Sequence, residues 1–172
     1  MATQWQKFSI SLAKSYTASE RQAIADEVIT FIRDRVQNDG LDKRNRPLPG
    51  YSEAYIKSLA FKIAGKSKGD VNLTASGDMM GSLTLLDNKK GEITIGFEKG
   101  SNENAIADGN IRGTYGHSKP TGPRRDFLGL TKGDLTRILT DFPLDDEETR
   151  SRNTDIASSA RKASGDTETE DV

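Results

Sequence analysis

The run Thr17-Ala-Ser-Glu20 constrains the fold of this chain more than any other stretch. A threonine hydroxyl at a helix start, with a glutamate three residues on, satisfies two backbone N–H groups that a helix would otherwise leave unpaired. The residues that follow place Ile24, Val28, Phe31, Ile32 and Val36 on one apolar stripe, with Phe31 and Ile32 as its core anchors. The helix is expected to run to about Asn38, where Asp39-Gly40 stops it, because glycine takes a left-handed C-terminal position at little cost.

Around this helix the pattern changes repeatedly. Phe8, Ile10 and Leu12 alternate with polar residues, the period of a half-buried strand. Arg46-Pro-Leu-Pro-Gly50 breaks regular structure, and Ser52 then caps an expected helix over 53–64 in which Ile56, Leu59, Ala60 and Ile63 share a face. Residues 78–82 suit a helical turn. Two strands, 82–86 and 92–97, flank a five-residue loop ending in Gly91, the spacing of a hairpin. Residues 101–116 suggest a weak helix broken near Gly109, and 116–123 form a loop. Phe127 and Leu128 anchor a short apolar segment before Thr131 caps a last helix from 132 to about 141, with Leu135, Ile138 and Leu139 on one side. The expectation is an α+β fold: a long helix and further helices on a small antiparallel sheet containing a hairpin, with extended flexible loops.

Composition narrows what such a fold can do. The chain has no cysteine and one histidine, His117, which excludes thiol chemistry, disulfides and His- or Cys-based zinc sites. The start MATQWQKF has neither a charged nor an apolar leader region, and no apolar run approaches the roughly 18 residues of a membrane span. A soluble protein made in the cytoplasm is expected. The net charge of −1 is unevenly spread. Residues 144–172 hold nine acids and four bases, a balance of −5 that leaves +4 for 1–143. With no aromatic and little apolar surface, 144–172 is expected to be a disordered acidic tail on a domain of residues 1–143, with a helix over 155–162 possible on a partner. Residues 41–68 carry seven bases (Lys43, Arg44, Arg46, Lys57, Lys62, Lys66, Lys68) against Asp42 and Glu53. That stretch is either a solvated basic face or a nucleic-acid-binding module.

Catalytic constellations are hard to assemble from these residues. Gly65-Lys-Ser lacks the earlier glycine of a phosphate loop, since Ala60 stands there. His117 lies in a loop with no evident nucleophile or orienting acid, and Asp145-Asp-Glu-Glu148 lacks the spaced ligands and turn glycine of a calcium loop. No cofactor, metal site or enzymatic activity is expected; an endopeptidase lacks its nucleophile–base set. More informative is Gly122-Pro-Arg-Arg-Asp-Phe-Leu-Gly-Leu-Thr131. It is expected to pack through Phe127 and Leu128 and to present Arg124 and Arg125, whose planar forks suit interfacial carboxylates.

Four segments then occur in a telling order: Pro49-Gly-Tyr-Ser-Glu-Ala-Tyr55, Leu73-Thr-Ala-Ser-Gly-Asp-Met-Met-Gly-Ser-Leu83, Ala105-Ile-Ala-Asp-Gly-Asn-Ile-Arg-Gly-Thr-Tyr-Gly116 and Pro123-Arg-Arg-Asp-Phe-Leu-Gly-Leu-Thr131. In this order the chain resembles the virion-morphogenesis or tail-completion proteins of tailed bacteriophages, over about residues 17–142. The resemblance implies a structural virion protein at the head–tail junction. It implies a homo-oligomeric ring, a hexamer or dodecamer, between the head connector or adaptor and the tail tube or terminator. Weak, sequence-indifferent contact with DNA in the channel would fit such a place. Interface candidates are Arg112, Arg124 and Arg125 together with Lys43, Arg44 and Arg46 of the basic stretch. An open hairpin edge could be continued by a neighbouring subunit.

Overall fold

The computed structural model describes residues 2–66, 69, 71–73 and 78–144. Of the expected acidic tail, 144–172, only Leu144 is described, and it packs against the core; the rest of it and Lys68 of the basic stretch lie outside the described residues. The fold is α+β, in the order β1 (Lys7–Ser11), α1 (Ala18–Gln37), α2 (Glu53–Ile56), α3 (Leu59–Ile63), α4 (Asp78–Gly81), β2 (Thr84–Lys89), β3 (Glu92–Gly96), α5 (Asn102–Arg112) and α6 (Lys132–Leu139).

The three strands form one antiparallel sheet in the order β1-β3-β2. Alternation decides which side is buried: Phe8 pairs with Ile95, and Ile10 with Ile93, so that one face is apolar. Against it lies α1, whose Ile24, Val28, Ile32 and Val36 are all buried. On the opposite face Ser9 and Thr94 join hydroxyls at 2.8 Å. The capping box is present at the start of α1: the Glu20 N–H donates to the Thr17 hydroxyl at 3.1 Å, and the Thr17 N–H to the Glu20 carboxylate at 2.7 Å. At the far end Gly40, with φ +64°, donates to the Val36 carbonyl, so the helix stops where expected.

Several sequence expectations need correction. Phe31 is only partly buried: it sits at the margin of the stripe, its ring between the guanidiniums of Arg35 and Arg137 at 5.6 and 5.4 Å. The five-residue hairpin loop shrinks to Lys90-Gly91. A register irregularity between Leu85 and Asp87 lets β2 continue to Lys89. There Asn88 accepts from Arg21 Nε at 2.6 Å and donates to the Ala18 carbonyl at 3.0 Å, tying strand to helix.

The single helix expected over 53–64 is interrupted at Ser58. Its hydroxyl donates to the Tyr55 carbonyl at 2.6 Å and accepts the Phe61 N–H at 3.2 Å, ending α2 and capping α3. The turn reverses the expected burial: Phe61 faces inward, while Leu59 and Ile63 are 71% and 77% exposed. Nor is α5 broken at Gly109. A Cβ there would sit 3.2 Å from Tyr115 Cα, so the glycine serves the close approach of the chain doubling back after the helix. Thr131 and Asp134 form a second capping box, and Leu135, Ile138 and Leu139 of α6 are buried, with α6 against α1. Phe127, Leu128 and Ile32 are buried, the Phe127 ring edge-on to Phe97 at 6.3 Å.

Candidate functional site

Arg125 organises the region in which the four distinctive segments meet. Rather than presenting its guanidinium to a partner, it is buried. Nε donates to the Pro49 carbonyl at 3.1 Å, Nη2 to the Gly50 carbonyl at 2.9 Å and Nη1 to the Tyr115 hydroxyl at 2.6 Å. The guanidinium also lies over the rings of Tyr51 and Tyr115, at 5.4 and 5.8 Å. Tyr115, held at φ +47°, donates its own hydroxyl to the Pro123 carbonyl at 2.6 Å. Burial pushes the Tyr115 phenol above its ordinary value of 10.0, and Arg125 partly offsets this. Arg124, one residue earlier, is exposed.

Beside this clasp lies a groove of about 450 Å³. Tyr51 and Tyr55 of the first segment line it, as do Leu73 and Met79 of the second. Ile106 and Tyr115 of the third and Pro123 and Arg125 of the fourth complete the wall. Tyr51, Tyr55 and Phe61 form an aromatic trio with ring centroids 5.2 to 5.6 Å apart, which fixes α2 and α3 to the groove.

Among the described residues the basic stretch does not form a continuous cationic surface. Lys43 is buried and its ammonium pairs with Asp126 at 2.8 Å, while its N–H donates to the Asp126 carbonyl. Arg46 pairs with Asp42 at 3.0 Å. The other oxygen of Asp42 accepts the N–H groups of Arg44 and Arg46, which closes the 42–46 loop. Lys66 donates to the Tyr51 hydroxyl at 2.9 Å. Arg44 is exposed, as are Lys57 and Lys62. Arg112 is mostly buried and pairs along α5 with Asp108 at 3.2 Å. Lys43 and Arg125 are therefore structural, and Arg124 is the member of its pair that faces outward.

A further arginine that sequence reasoning passed over holds the last segment in place. Arg35, on the buried side of α1, donates to the carbonyls of Phe127 and Gly129. Burial lowers its pKa to about 10, opposed by the nearby carboxylates of Asp134, Asp42 and Asp126. It stays charged at neutral pH. The folded chain holds this proton less tightly than the unfolded one, so the burial cost is full below pH 10 and relieved above it. Only its place on the apolar stripe, one residue before Val36, could have signalled this. His117 is exposed in the 116–123 loop. Among the described residues no group of three His, Cys, Asp or Glu side chains is arranged to hold a metal ion.

Comparison with family models, curated proteins and solved structures gives no match.

Proposed function

We propose that the chain is a structural assembly protein of a tailed-phage virion, completing the neck or tail as a homo-oligomeric ring at the head–tail junction. Its partners in this role are the head connector or adaptor on one side and the tail tube or terminator on the other. One observation carries most weight: the four segments behind the resemblance, far apart in sequence, converge on a single groove clasped by Arg125. The convergence gives the four segments a common surface, which supports a shared binding role for them.

The chemistry of the surface supports a binding role. Leu59 and Ile63 stand out from the body on α3 with no covering among the described residues, and Ile106 is 44% exposed at the groove. Exposed apolar clusters beside charged residues mark contacts with other proteins. Immunogold labelling of tagged particles is the test. Gold at the joint between head and tail supports the proposal; gold along the tail or over the capsid overturns it.

A further inference from the structure

We propose that α3 of one copy seats in the cleft beside β2 of the next copy, so that the ring's subunit contact runs head to tail; this rests on the ring reading given above. The inserting element is short and rigidly mounted. Phe61 holds it to Tyr51 and Tyr55, and this leaves Leu59 and Ile63 pointing outward. Lys57 and Lys62 flank the apolar pair, both exposed and without an ion pair among the described residues.

The receiving cleft, about 620 Å³, lies between α1, β2 and the turn that leads into α5. Ile29 and Leu85 give it an apolar floor, and Asp26, Glu98 and Glu103 stand around it. Its one arginine, Arg33, is committed elsewhere, donating to the carbonyls of Met80, Gly81 and Leu83 at 2.8, 2.8 and 3.0 Å. Two lysines around two apolar side chains thus face three carboxylates around an apolar floor, complementary in charge and in polarity. The cleft also runs along β2, an edge of the sheet, which a seated helix would cover. Because donor and acceptor surfaces are built from different residues, the contact is heterologous and propagates from copy to copy until it closes.

The absence of cysteine makes a clean test possible. Leu59→Cys and Thr84→Cys change exposed positions on the two surfaces. After mild oxidation, the chain carrying both is expected to give a ladder of covalent oligomers, and a mixture of the two single variants covalent dimers. Each single variant alone should remain uncrosslinked. In parallel, Lys57→Glu with Lys62→Glu should weaken self-association about tenfold or more, measured by sedimentation, with the melting temperature unchanged. Covalent dimers from Leu59→Cys alone would set α3 against α3 and overturn the proposal. Oligomers of ring mass that neither crosslink nor respond to charge reversal would overturn this contact while leaving the ring intact. A wild-type chain that stays monomeric at every concentration would overturn both.

Discussion

Arg124 and Arg125 are neighbours in sequence, yet one faces solvent and the other closes the groove. Their substitutions should separate accordingly. Arg125→Ala removes a buried cation together with its hydrogen bonds to the Pro49 and Gly50 carbonyls and the Tyr115 hydroxyl. A loss of about 3 kcal/mol is expected in urea unfolding, whereas Arg124→Ala should change stability by under about 0.5 kcal/mol. Equal effects would mean that the clasp is not a stabilising feature. Tyr115 gives a pH signature. Its phenol ionises at higher pH in the folded chain than in the unfolded one, so the unfolded state loses the proton first as pH rises past 10. Tyr115 therefore contributes stability below pH 10 that declines above it. The stability difference between the wild type and Tyr115→Phe should shrink between pH 9 and 11, and a difference that grows with pH would contradict the assignment. Of these side chains, the sequence exposed residue type and order but not direction. Nothing local distinguishes a buried arginine from an exposed one beside it; the carbonyls that receive Arg125 come from 75 residues or more away.

At the level of elements, legibility followed local chemistry. Helices α1 and α6 start at capping residues, Thr17 and Thr131, and their apolar stripes are long enough to identify the buried side. Strand β3 was equally plain, being β-branched and buried throughout most of its length. What misled was Ser58, whose hydroxyl can cap a helix as readily as sit inside one, and which splits 53–64 into α2 and α3. The same break turned Leu59 and Ile63 from an expected packed face into an outward one. The consequence is testable on stability: Phe61→Ala should cost on the order of 3 kcal/mol, since it empties the aromatic trio. Leu59→Ser with Ile63→Ser should leave thermal unfolding nearly unchanged. Strong destabilisation by the serine pair, measured at a concentration where the wild type is monomeric, would show that α3 packs inward in solution. Gly109 was misread for a related reason: a glycine inside a helical pattern looks like a break, whereas here it makes room for the backbone of Tyr115.

For the molecule as a whole, the order of four short segments was visible in the sequence, but their meeting at one groove was not, because long-range contact leaves no local trace. Helix α1 supports the sheet on one side and, through Arg35, fixes the segment that contains Phe127 and Gly129. The result is a body with a clasped groove and, on α3, the exposed side chains of Leu59 and Ile63. The most direct measurement is electron microscopy of phage particles assembled without this protein. The expected result is DNA-filled heads and complete tails that fail to join, with joining restored when the purified protein is added. Particles with heads and tails joined normally in its absence would contradict it.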